Sequence, residues 1–140
     1  MNIKTIILPV DDSGYSRKAA EHAAEYALAA NAEVVLLHCR RSVPSEVGEP
    51  NAQMMLEHYM KAAQSVLEPH EKFLKGKGVA VRTEIVGGKP GPVITDVAKA
   101  EKADLIIMGS KGKSDLEGLI LGSVTHTVLH TASCPVLVIK

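Results

Sequence analysis

The sequence predicts a parallel-sheet α/β fold. Three observations carry that prediction. Five short apolar runs recur along the 140 residues. Four longer stretches with helical spacing separate them. Most of the runs are apolar nearly throughout, the pattern of strands buried on both faces. The order βαβαβαβαβ requires a parallel sheet with right-handed crossovers.

The first run, Ile3 to Val10, reads as strand 1, with Pro9 near its end and Asp11-Asp12-Ser13 after it. Asp12 or Ser13 is expected to cap a helix from Gly14 to Ala30, since short oxygen-bearing side chains satisfy free N–H groups at helix starts. Ala19, Ala23, Tyr26, Ala27 and Ala30 follow helical spacing, and Asn31 suits the stop. Strand 2 spans Glu33 to Cys39. Arg40 to Pro50, with Pro44, Gly48 and Pro50, reads as an exposed loop that either covers the site or serves a partner. A second helix is expected from Ala52 to Lys75, with Met55, Tyr59, Ala62, Val66, Phe73 and Leu74 inward. Pro69 should kink or divide it. Val79 to Val86 alternates more and reads as a strand nearer an edge. Gly87 to Pro92 is loop-like, and Pro92 fits the first turn of a helix reaching Lys102. Asp104 to Met108 is strand 4, Ser123 to Ala132 helix 4, and Val136 to Ile139 strand 5. No repeat or composition break suggests a second domain, so residues 1–140 are expected to form one.

Composition excludes several roles. Formal net charge is zero, with 16 basic and 16 acidic residues, against the basic face of a nucleic-acid binder. Three Tyr, one Phe and no Trp leave little for base stacking. No apolar run is long enough for a membrane span, and the N-terminal stretch has no signal pattern. Two cysteines without a spacing motif suit a reducing cytoplasm.

The stretch most suggestive of chemistry is 104–124. Its apolar run stops at Gly109; Gly112 follows, then nine residues, then Gly122-Ser123 at a helix start. Glycines allow close backbone approach, and a helix N-terminus offers free N–H groups and a positive dipole end. Together they can cradle a phosphate. In parallel sheets, ligands bind beyond the carboxyl ends of strands where strand order reverses. If strands 1 and 4 are neighbours, Asp11 and this loop face one crevice.

Here the chain resembles the universal stress protein family. Gly109-x2-Gly112-x9-Gly122-Ser123 matches the motif of its ATP-binding branch. Pro9-Val10-Asp11, Ala103 to Ser110, and Ser133 to Val138 agree as well, so the resemblance covers the whole chain. It implies a five-stranded parallel sheet in the order 3-2-1-4-5, Rossmann-like, with helices on both faces. It also implies adenine nucleotide binding, ATP or AMP, with Mg²⁺ or Mn²⁺, and a homodimer. By the same resemblance Pro9 and Val10 wall the adenine pocket, and the Cys39 backbone meets the adenine edge. Asp11 lies by the ribose or a phosphate-bound metal ion. Gly109, Gly112, Gly122 and Ser123 take the phosphates with Val124 beside them, and Ser110, Lys111 and Lys113 are further phosphate contacts. Two residues depart from the pattern: Asp12 replaces a common glycine, and Cys39 a common branched residue.

Other motifs fail on spacing. Gly112-Lys113-Ser114 resembles a P-loop ending, but position 107 is Ile107 where a P-loop needs glycine. Ser13-Gly14-x-Ser16 lacks the rest of a pyrophosphatase loop. His126 and His130 share a helix face but have no third ligand. His38 is expected to be a hydrogen-bonded structural residue. Cys39 and Cys134, three strands apart, would be separated by about 14 Å and cannot bridge. Strand 5, at an edge, is expected to pair with a second copy.

The expected function is a cytoplasmic, dimeric, nucleotide-dependent sensor or switch in stress response, acting on a further protein partner. It should have at most slow ATP hydrolysis, because no general base stands in the phosphate loop. The alternatives are a nucleotide-free interaction module and a nucleotidyl-transfer or ATP-hydrolysing enzyme. No nucleic-acid or membrane partner is expected.

Overall fold

A computed structural model describes residues 2–140. The elements are β1 (Thr5–Pro9), α1 (Gly14–Ala30), β2 (Glu33–Arg40), α2 (Asn51–Gly76), β3 (Ala80–Gly87), α3 (Pro90–Ala100), β4 (Leu105–Gly109), α4 (Ser123–Thr131) and β5 (Val136–Ile139). The sheet is parallel, in the order β3-β2-β1-β4-β5. Ile6 pairs with Val34 on one side and with Leu105 on the other. The order reverses at β1, so crossovers on its two sides run to opposite faces. The gap that opens between β1 and β4 is the switch point.

Alternation along the strands divides the core in two. Ile6, Leu8, Val34, Leu36, Leu105 and Ile107 face α1 and α2. Ile7, Val35, Leu37, Ile106 and Met108 face α3 and α4, meeting Ile94, Ala98 and Val128. Both faces are covered, which explains why the central positions of these strands are apolar.

The alanines of α1 allow it to lie close to the sheet. Ala19, Ala20, Ala23, Ala24 and Ala27 are buried, whereas Tyr26 and Ala30, which share the helical spacing, are exposed. Ser13 caps α1, its hydroxyl accepting the Ser16 N–H, and Asn31 ends it in the left-handed region at φ 53°. At the opposite end of the sheet the Asp104 carboxylate accepts the N–H groups of Lys4 and Thr5, at 2.8 and 3.0 Å, and ties the start of β4 to β1.

Several boundaries differ from expectation. β1 is shorter at both ends, and β2 extends through Arg40. α3 begins at Pro90 and stops at Ala100; Lys102 adopts a positive φ of 52°, which ends the helical path. Pro69 does not divide α2, which runs through it as one helix. Its buried stripe is Ala63, Leu67, His70 and Leu74, one position round from the expected Ala62, which is exposed. Pro69 is on the solvent side, as is Ser65, whose carbonyl loses the helical partner and can bond water. Packing of the opposite stripe holds the helix together across the missing bond.

Candidate nucleotide site

The carboxyl ends of β1, β2 and β4 open into a cleft bounded by the loop after β4 and the start of α4. Pro9, Val10, Asp11, Cys39, Gly109, Lys111, Gly112, Lys113, Ser123 and Val124 line it. The chain from 9 to 124 thus contributes to one space, because parallel strands deliver all these loops to the same sheet end. Ser110 and Gly122 do not line the cleft. Ser110 is buried, its N–H donating to the Ile139 carbonyl and its own carbonyl accepting the Gly122 N–H, each at 2.7 Å. These two residues fasten the loop ends to β5 and to each other.

Asp11 is fixed by the turn that follows β1. Its Oδ1 accepts the Ser13 N–H and the Ser16 hydroxyl, both at 2.9 Å, and its N–H donates to the Ser16 oxygen at 2.8 Å. Its Oδ2 accepts the Lys113 N–H at 3.1 Å from the opposite loop. Burial raises the Asp11 pKa, but the bonds from Ser13, Ser16 and Lys113 outweigh it and hold the carboxyl below its ordinary value. Asp11 is therefore an ionised carboxylate at neutral pH, suited to a hydroxyl or a hard cation and poorly suited to remove protons.

Two histidines hold the backbone behind it. His38 Nδ1 lies 2.7 Å from the Val10 carbonyl, and His70 Nε2 lies 3.2 Å from the Asp11 carbonyl, so each ring donates an N–H to the turn. His38 is the hydrogen-bonded residue anticipated from its place in an apolar run. His70 was not singled out in the sequence, although it lies on the buried stripe of α2. Burial lowers its pKa, partly opposed by Asp11.

The opposite wall is the 110–122 loop. Gly112 N–H donates to Asp115 Oδ2 at 2.6 Å, and Ser123 N–H reaches Asp115 Oδ1 at 3.4 Å. Asp115 was missed by the sequence reading; its signal was an acidic residue inside the glycine motif. Gly109 is required by packing: a Cβ there would sit 2.7 Å from Tyr15 Cβ and 3.1 Å from the Tyr15 backbone. The Gly109 carbonyl also accepts the buried Thr125 hydroxyl at 2.8 Å, locking α4 to β4. Asp12, the extra carboxylate, pairs with the Lys113 ammonium at 2.6 Å across the mouth. The Lys111 ammonium lies 5.8 Å from the Tyr15 ring centre.

Cys39 lines the cleft with its thiol pushed up to about 11 by burial, so it is no nucleophile at neutral pH. Both cysteines are free, and β1 and β4 lie between β2, which carries Cys39, and β5, which follows Cys134. The His126 and His130 rings stand 4.6 Å apart on α4. Among the described residues no three His, Cys, Asp or Glu side chains converge as a metal cluster.

The family model for the universal stress protein family matches residues 2–140. The chain belongs to the universal stress protein family. Universal stress protein MJ0531 of Methanocaldococcus jannaschii is 38% identical, over 98% of this chain and 82% of that protein. The solved structure of protein MJ0577, from the same organism, is 33% identical with a TM-score of 0.90, covering 100% of this chain and 97% of that one. More distant structures share the fold at 21–23% identity. They are a universal stress protein in complex with cAMP (TM-score 0.78), one from Archaeoglobus fulgidus with dAMP (0.68) and one from Arabidopsis thaliana with AMP bound (0.69). Each alignment spans at least 98% of this chain and 91% of the other.

Proposed function

We propose that this protein binds an adenine nucleotide, ATP or AMP, in the cleft between β1 and β4. Occupancy then acts as a switch or sensor in stress response. One observation carries the reading. Gly112 and Ser123, eleven positions apart, aim backbone N–H groups at a single anionic group opposite Asp11. Fixed N–H donors at a helix start are the physical requirement for holding phosphate. The solved relatives that bind cAMP, dAMP and AMP support adenine as the base.

The apolar end of the cleft, Pro9, Val10 and the Cys39 backbone, suits adenine. Asp11 suits ribose hydroxyls or a divalent ion. Its ionised carboxylate and the oxygens of neighbouring Asp12 are hard donors at the phosphate end, which fits Mg²⁺ or Mn²⁺ held jointly with phosphates. The metal would neutralise phosphate charge; the protein side holds and orients. Lys111 and Lys113 stand at the mouth as further phosphate contacts.

The site favours binding over catalysis. Asp11 is held ionised and the inward histidine nitrogens donate to carbonyls, so neither Asp11 nor these histidines are poised to activate water. Any hydrolysis is slow. Two free cysteines and no helix long and apolar enough to cross a membrane among the described residues support a cytoplasmic setting. β5 lies at the sheet edge with four apolar residues, and its open side supports a homodimer through 136–139. The loop at 41–50, between β2 and α2, is available to a protein partner.

Mass spectrometry of small molecules that co-purify, followed by ATP titration with and without Mg²⁺, tests the reading. Bound nucleotide is expected, and Asp11→Ala should lose the Mg²⁺-dependent part of ATP affinity. Protein free of nucleotide and giving no titration signal would reject it.

A further inference from the structure

We propose that Asp115 is an internal substitute for phosphate: its carboxylate occupies the anion cradle until a nucleotide phosphate displaces it, which makes Asp115 a specificity-determining residue of the site. The inference rests on the nucleotide reading above and assigns a competing group within it.

The observation is positional. The N–H groups that make the loop a phosphate cradle, those of Gly112 and Ser123, both point at the Asp115 carboxylate. That half-buried carboxylate lies close against the loop backbone: a Cβ on Gly122 would come within 2.1 Å of Asp115 Oδ2. A single point beside Gly112 is 3.0 Å from Asp11 Oδ2 and 3.6 Å from Asp115 Oδ2, so two carboxylates crowd one spot. No cationic side chain relieves this. Lys113 is engaged with Asp12 and Lys111 lies over Tyr15; among the described residues no salt bridge includes Asp115. Among the described residues its partners are N–H groups and the positive end of α4. These are the partners a phosphate needs, and a carboxylate presents two oxygens to them as a phosphate does.

A phosphate entering the cradle must take these donors over, and must do so against a second negative charge. The carboxylate therefore opposes anionic ligands and leaves adenine and ribose untouched. It rests on a short turn, with Asp115 N–H donating to the Gly112 carbonyl at 3.3 Å. Nucleotides with phosphates near the loop are the ones whose affinity Asp115 sets.

The test compares Asp115→Asn with the wild-type protein in titrations of ATP, adenosine and inorganic tripolyphosphate, each with and without Mg²⁺. The amide keeps the shape and one acceptor oxygen but gives up the charge. ATP and tripolyphosphate should bind the variant about tenfold more tightly, the size expected for weakening a charge-assisted bond and removing the repulsion. The ratio of ATP to adenosine affinity should rise by the same factor. Asp115→Ser should act in the same direction. Equal or weaker ATP binding in both variants would overturn the proposal and make the carboxylate a loop fastener; so would failure of both to fold. Weakening seen only with Mg²⁺ would also overturn it, in favour of a metal ligand. Absence of ATP and adenosine binding in the wild-type protein would instead reject the nucleotide reading itself.

Discussion

Asp11 and His70 meet at one turn, and their titrations bear on stability with definite signs. The Asp11 carboxyl in the folded chain lies below its ordinary value, so it contributes stability that is present near neutrality and lost as pH falls through the acid range below about 4. Burial lowers the His70 pKa. Between its folded and unfolded values the unfolded chain binds more protons, so stability declines as pH falls below about 6.5. Urea unfolding from pH 8 to pH 3 should show that earlier decline in the wild-type protein and a smaller one in His70→Gln; an unchanged profile would count against it. At this scale the sequence was legible where a residue type announces its chemistry. Asp11 after a strand, and Ser123 after a glycine, were such places. Motif positions say nothing of which N–H groups the loop spends on itself, as those of Ser110 and Gly122 are spent. Asp115 went unread because a carboxylate that folds back on a loop has no spacing signature.

Elements depend on stripes rather than on single residues, and α2 shows it. Pro69 removes one helical hydrogen bond, yet the stripe Ala63, Leu67, His70 and Leu74 keeps the helix continuous. The bond is lost on the solvent side, where water replaces it in part. Pro69→Ala should therefore raise unfolding stability by about 1–3 kcal/mol, within the cost of proline in a helix interior. Chemical denaturation measures it, and a destabilised variant would mean that the local backbone depends on proline. The sequence showed where helices and strands lie because strand runs apolar on both faces are distinctive. It could not fix their ends: Lys102 and Arg40 carry no cap or breaker signal that separates helix or strand from the next turn. The inner face of α1 was blurred for another reason, since alanine suits either side of a helix.

The whole molecule places its site by topology. Strand order reverses at β1, loops after β1 and β4 meet, and the charge of the cleft is local because the net charge is zero. The same order leaves β5 at an edge. Val138 belongs to neither buried cluster, so Val138→Lys should leave the fold intact while halving the mass seen in light scattering if β5 joins two copies. A wild-type monomer, or a variant that remains dimeric, would place any interface elsewhere. The connectivity and the family resemblance together carried the sheet order, whereas periodicity alone gave only a parallel sheet. The central claim is that backbone donors of the glycine loop take nucleotide phosphate. The most direct measurement is an ATP titration followed at the amide resonances of Gly112 and Ser123. Both should shift saturably with ATP, and much less with adenosine. Saturable ATP binding that leaves both amides unmoved would contradict the account.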